Sequence, residues 1–309
     1  MTIATNVLDC IGNTPLVALR RIVPAGHAQV LVKVEGSNPT GNMKDRMAKT
    51  AIEAAIADGR LMPRGTVVEY TGGSTGASLA LVCAAKGYKL KIITSDAFSE
   101  EKTRTAKAFG AEIILVPSDN KRITEELIRR MIDTAREVGR AAGHWWFDQL
   151  NNPDVAKGYH PMGEEIWAQS GGKVHAFVQS VGSAHSLNGT TEVLRRYNPE
   201  LYVTAAEPAE SAVLSGRPKG AHKIEGIGIG FVPPQWRPDS VNEIVSATTE
   251  AAARMCRRLA HEEGLFAGIS SGLNVIAALR VAERLGPGAK VVTVMIDSGL
   301  RYLSTDVYR

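Results

Sequence analysis

One lysine and several turns of small residues hold the groups in this chain best able to do chemistry. In "GSNPTGNMKDRMAK" (36–49), Asn38-Pro39 and Thr40-Gly41 make a turn, and Lys44 opens a helix just ahead of Asp45 and Arg46. A cation at a helix N-terminus meets an unfavourable dipole of about 0.3–1 kcal/mol. Desolvation would lower its pKa further. A neutral amine there can attack a carbonyl and form a Schiff base. The competing reading is a solvated lysine at a helix start. A second stretch, "EYTGGSTGASLALVCAAKGY" (69–88), runs from a strand end through a glycine turn into an apolar helix. Gly72, Gly73 and Gly76 expose backbone N–H groups, and Thr71, Ser74, Thr75 and Ser78 add hydroxyls. Such a turn suits an anion. It fits neither the P-loop pattern G-x-x-x-x-G-K-S/T nor the dinucleotide fingerprint G-x-G-x-x-G. A nucleotide phosphate, a cofactor phosphate, a carboxylate and a plain capped turn all stay open here.

A third junction, "SVGSAHSLNGTTEVLRR" (180–196), can present the successive N–H groups of Gly182, Ser183, Ala184, His185 and Ser186 to a phosphate. Each charge-assisted hydrogen bond contributes roughly 1.5–3 kcal/mol, so three or four hold a phosphate firmly. His185 either adds a donor or is simply packed or solvated. "FAGISSGLNVIAALRVAE" (266–283) sets Ser270 and Ser271 ahead of a helix, and "MIDSGLRYLS" (295–304) ends a strand with Asp297 and Ser298. Two anion sites, a candidate Schiff-base lysine and a serine-lined pocket together suit a cofactor with an aldehyde and a phosphate. Pyridoxal phosphate is such a molecule.

The elements that must position these residues alternate in type. "QVLVKV" (29–34), "TVVEY" (66–70), "LKIITS" (90–95), "EIILVP" (112–117), "HAFVQSV" (175–181), "LYVTAAE" (201–207) and "KVVTVMI" (290–296) read as strands. Their near-continuous apolar character is that of parallel strands covered on both faces. Helices are predicted over 44–58, 76–86, 99–109, 121–142, 161–169, 186–197, 248–263 and 273–285. The class is α/β with largely parallel sheets. Two irregular stretches interrupt it. The one at 143–162 reads as a domain crossing and the one at 215–240 as a long functional loop.

Composition narrows the function. The chain has 309 residues, 44% hydrophobic and 22% charged, with a net charge of +4. That suits one large or two ordinary soluble domains. Basic residues form no stripe with interleaved aromatics, which argues against nucleic acid. Cys10, Cys83 and Cys256 are odd in number and far apart, as free thiols in a reducing compartment are. No pair has metal-ligand spacing, and no metal is expected. The N-terminus lacks a signal-peptide pattern, and no apolar run approaches the roughly 20 residues of a membrane span. The expectation is a cytoplasmic protein without a membrane partner.

With these residues assembled, the sequence resembles the cysteine synthase and cystathionine β-synthase family of pyridoxal-phosphate enzymes, with the tryptophan-synthase-β fold. The likeness runs from "IGNTPLV" (11–17) to "RYLST" (301–305) and is carried by "NPTGNMKDR", "HKIEGIGIGFVP" (222–233), "FAGISSG" (266–272) and "SGLRYLST" (298–305). It implies two three-layer open-sheet domains with mostly parallel strands and a cofactor cleft between them. The smaller, mobile domain would hold 1–12 and 37–146 with the substrate loop; the larger, cofactor-binding domain would hold 13–36 and 147–309. The resemblance makes Lys44 the Schiff-base lysine and catalytic base, Gly182–Ser186 the phosphate loop, and Ser270 the partner of the pyridine nitrogen. It gives the substrate carboxylate to Thr71, Gly72, Gly73, Ser74, Thr75 and Gln149, with Ser74 also at the cofactor's ring hydroxyl. Gly226 falls in a loop near the substrate entrance. The implied reaction is β-replacement on an O-activated serine through an α-aminoacrylate, with a small nucleophile such as sulfide, in a homodimer.

The departures from the family pattern matter as much. Where relatives carry T-S-G-N-T-G, this chain has Gly72 for the serine and Ser74 for the asparagine. In the phosphate loop Ala184 and His185 replace two glycines, so any left-handed position there becomes costly. A histidine found after S-N-P in many relatives has no counterpart. Neither a C-terminal regulatory domain nor an N-terminal haem-type extension is expected. Cystathionine formation, diaminopropionate formation and desulfhydration are the alternatives that Gly72 and Ser74 raise. A dehydratase or a non-catalytic binding protein fits the residues less well.

Overall fold

The computed structural model describes residues 3–98 and 100–309. In chain order the elements begin with β1 (Leu16–Ala18), β2 (Gln29–Val34) and α1 (Lys44–Ala57). Next come β3 (Thr66–Tyr70), α2 (Ser74–Lys86), β4 (Lys89–Ser95), α3 (Glu100–Ala108), β5 (Glu112–Val116) and α4 (Glu125–Val138). After these follow β6 (His144–Trp146), α5 (Asp154–Lys157), α6 (His160–Gln169), β7 (Ala176–Ser180), α7 (His185–Tyr197) and β8 (Tyr202–Pro208). The last are β9 (Glu243–Ala247), α8 (Thr249–Arg258), α9 (Ile269–Leu285) and β10 (Lys290–Met295). The chain divides into two compact units, Met1–Ile11 with Lys44–Gly158, and Gly12–Met43 with Tyr159–Arg309.

The first unit holds a four-stranded sheet in the order β5-β4-β3-β6, parallel throughout. The chain runs outward from β3 to β4 to β5 and then returns to the other side of β3 as β6. β3 therefore lies at the topological switch point, and its carboxyl end is where open α/β sheets bind ligands. The second unit holds a six-stranded sheet, β1-β2-β10-β7-β8-β9, with β1 antiparallel to β2 and every other pair parallel. Its chain runs outward from β7 to β8 to β9 and returns as β10 on the other side of β7. The carboxyl end of β7 is the second switch point. There Asn274 of α9 accepts from the Ser180 N–H (2.7 Å) and donates to the Val294 carbonyl (2.8 Å). It thereby spans β7 and β10 beyond their last paired residues, Val178 and Thr293.

The seven predicted strands form, each starting within one residue of its apolar run. Three strands escaped the sequence reading: β1, β6 and β9, of which the first two have only three residues each. The stretch at 143–162 holds β6 and the one-turn α5 rather than irregular chain alone. The helix predicted over 121–142 is shorter, because Asn120 and Lys121 adopt left-handed φ of 54° and 55° and Thr124 caps the Leu127 N–H. The helix predicted over 248–263 changes to a π-turn at Leu259–Glu263, closed by left-handed Gly264. The predicted start of α3 at Ser99 lies outside the described residues. The three cysteines are free thiols: Cys10 is exposed, while burial pushes Cys83 and Cys256 up to about 12.

Candidate active site

In the first unit, Lys44 is the first residue of α1 and is half-buried. The next residue, Asp45, sits in the first turn, where a carboxylate complements the helix dipole. It accepts a 2.6 Å hydrogen bond from the Ser78 hydroxyl of α2, and both groups are buried. That bond ties the start of the lysine's helix to the helix of the glycine-rich loop.

α2 begins at Ser74, two residues earlier than predicted, so Ser74 and Thr75 occupy its first turn and Gly73 is the cap. The first four N–H groups of a helix have no intrahelical acceptor. Thr71 folds the loop back by accepting from the Gly73 N–H (3.0 Å). Gly76 is required by packing, since a Cβ there would lie 2.9 Å from both Thr71 Cγ2 and Ile92 Cδ1. Across the sheet, Gln149 follows β6, and its Oε1 accepts a short hydrogen bond from the Thr75 hydroxyl. The residues the sequence grouped as Thr71–Thr75 and Gln149 are thus brought together in one unit.

A residue missed by the sequence reading holds this pair. Glu69 of β3 is fully buried, and its carboxylate accepts from the Gln149 N–H (3.2 Å). Burial above all, with the charge of Asp148, pushes it well above the usual carboxylate range, against the pull of the Gln149 N–H. A glutamate inside the otherwise apolar run "TVVEY" was the available signal.

In the second unit, Val181–Ala184 lead from β7 into α7, whose first residue is the buried His185. Ala184 is the cap and is left-handed, with φ 69°. Gly182 fits because a Cβ would lie 2.5 Å from the Gly226 carbonyl oxygen, and the Gly228 N–H donates to Val181 (3.2 Å). Gly226 therefore lies against the 182–186 loop. Ser186 is held by a second missed residue, Gln179, whose buried side-chain amide donates to its hydroxyl (2.8 Å). That bond uses one of the hydroxyl's two lone pairs and leaves its proton to donate. Ser270 is buried in the first turn of α9, which starts at Ile269 rather than 273. The neighbouring Ser271 hydroxyl accepts from the Ile296 N–H (3.0 Å), joining α9 to the end of β10.

These residues fit pyridoxal phosphate. A helix N-terminus with serine hydroxyls and a glycine too crowded for a side chain suits its phosphate. A buried, uncharged serine at another helix start suits a ring nitrogen, and a lysine at a helix start suits an aldehyde. Among the described residues, no group of three or more His, Cys, Asp or Glu could hold a metal ion, and no helix is long and apolar enough to cross a membrane.

Comparison with known proteins agrees with this class. Residues 7–297 match the family model described as pyridoxal-phosphate dependent enzyme. A cysteine synthase of Staphylococcus aureus is 40% identical over 305 residues, 98% of this chain and 96% of that protein. Cysteine synthase of Entamoeba histolytica superposes with a TM-score of 0.92 at 35% identity, covering 99% of this chain and 91% of the other. The O-acetylserine-dependent cystathionine β-synthase of Helicobacter pylori gives 0.92 at 32% identity, with all of both chains covered. The chain belongs to the pyridoxal-phosphate-dependent enzyme family.

Proposed function

We propose that this protein catalyses β-replacement on an O-activated serine, as cysteine synthases do, with Lys44 bonded to the cofactor's aldehyde. The observation that supports this most is that both glycine- and serine-rich loops occupy the switch points of their sheets. When bound, pyridoxal phosphate withdraws electrons from the substrate's α-carbon, which lets the β leaving group depart. The chain's own residues do the rest. Gly182–Ser186 hold the phosphate with backbone N–H groups and the Ser186 hydroxyl. The N-terminus of α2, with Thr71–Thr75 and the Thr75-bound Gln149, holds the substrate carboxylate and so aims the Cα–H bond. Lys44, with its amine free, would accept the Cα proton at Nζ as general base. Ser270 keeps an uncharged group beside the ring nitrogen. A carboxylate there would hold a proton on the ring and draw the reaction towards transamination. Gly226, against Gly182, belongs to a loop near the substrate entrance. The partners in this reading are an amino acid and a small nucleophile, and the assembly is a cytoplasmic homodimer.

The test is turnover with O-acetylserine and sulfide. Cysteine should form, and Lys44→Ala should lower turnover by at least about a thousandfold, the scale of a lost general base. Turnover unchanged in Lys44→Ala would remove its role. A second reading keeps the first half-reaction and changes the nucleophile. It is favoured by Gly72 and Ser74 and by the likeness to the Helicobacter pylori enzyme. Homocysteine outcompeting sulfide for the same activated serine would select it.

A further inference from the structure

We propose that Phe98 is a specificity-determining residue of the loop at 71–75, confining it to amino acids with small, uncharged β-substituents. This rests on the reading of that loop as the substrate-carboxylate site. The starting point is why residue 72 is glycine. Gly72 is not among the residues with positive φ, so backbone freedom does not require it. Space does. A Cβ at Gly72 would lie 2.4, 2.7 and 2.9 Å from Phe98 Cε1, Cδ1 and Cζ, closer than real Cβ contacts come. Any side chain at 72 must displace the ring.

The topology explains the meeting. β3 and β4 are parallel neighbours with Tyr70 opposite Ile93, so both carboxyl ends leave the same edge of the sheet. Thr71 stays tied to that edge through its N–H to the Ile93 carbonyl (2.9 Å). The chain beyond β4 turns at once, the Phe98 N–H donating to Ser95 (3.1 Å), and this brings the ring back over Gly72. Phe98 also packs on the core cluster of Val68, Ile93, Val116 and Leu127, so moving it disturbs that packing.

The chemical consequence is a substitution of surfaces. At position 72 the loop offers a substrate no side-chain hydroxyl, and apolar ring atoms fill the place. A second anionic group brought there loses water without gaining a donor, which is costly. A bulky β-substituent meets a filled volume. A small acyl ester suffers neither penalty, whereas a phosphate ester suffers both.

The test is amino-acid titration of the cofactor-loaded enzyme, followed by the change in cofactor absorbance, in wild type, Gly72→Ser, Phe98→Ala and the double variant. Gly72→Ser alone should weaken O-acetylserine binding by about tenfold or more, and Phe98→Ala in the same chain should restore most of it, as contacting residues couple. Phe98→Ala alone should shift the ratio of binding constants towards O-phosphoserine by about fivefold or more. Should Gly72→Ser fail to fold, that ratio decides alone. Losses that multiply without rescue, or an unchanged ratio, overturn the proposal while leaving the substrate loop standing. A wild-type enzyme whose absorbance responds to no amino acid overturns the loop assignment and this proposal together.

Discussion

At the scale of single residues, the buried polar side chains of the two sheets matter most for the site. Glu69 and Gln179 sit in strands that are otherwise apolar, and each holds a residue proposed to touch substrate or cofactor. Glu69 carries a testable pH signature. Its raised pKa means that the folded protein binds a proton the unfolded chain releases above about 4.5. Stability contributed by that proton is complete below this value and is lost as pH rises towards the folded pKa. Glu69→Gln keeps the shape and an acceptor for the Gln149 N–H and removes the titration. Melting temperature measured from pH 4 to 8 should fall less steeply with pH in the variant than in wild type. At pH 5 the two should differ by less than about 1 kcal/mol. Equal slopes would mean that Glu69 is not protonated in the fold.

At the scale of elements, the strands that the sequence revealed are those whose apolar runs are long enough to read, and all but the edge strand β5 are mostly buried. β1 and β6 have three residues each, and β9 (EIVSA) has only two adjacent apolar residues, so none carries such a run. The start of α9 was hidden for a different reason. Ser270, Ser271 and Gly272 look like a cap, yet all three are helical. Ser271 serves the Ile296 N–H, and Gly272 packs where a Cβ would lie 2.2 Å from the Ala252 carbonyl oxygen. Local propensity yields to such tertiary contacts. Lys44 and the two glycine-serine loops could be located from residue types alone, because turns into helices have a visible chemistry. The Phe98–Gly72 contact could not, since it depends on the register of β3 with β4. The loop before α7 yields a prediction of its own. Ala184 is left-handed, a conformation costing roughly 1–2 kcal/mol for a residue with a Cβ. Ala184→Gly should therefore stabilise the protein by about 1 kcal/mol, offset in part by the greater freedom of glycine in the unfolded chain. Urea unfolding tests this, and a destabilised Ala184→Gly would show that the methyl group's burial outweighs the strain.

At the scale of the whole molecule, two units each carry a parallel or mostly parallel sheet with a small-residue loop at its switch point, and residues 7–297 match a family that uses pyridoxal phosphate. In the proposed mechanism Lys44 is bonded to that cofactor, and everything else depends on this bond. It is tested most directly by loading the protein with pyridoxal phosphate, reducing with borohydride and mapping the modified peptide by mass spectrometry. One phosphopyridoxyl group per chain is expected, on Lys44. A protein that takes up no pyridoxal phosphate, or one labelled on another lysine with Lys44 unmodified, would contradict it.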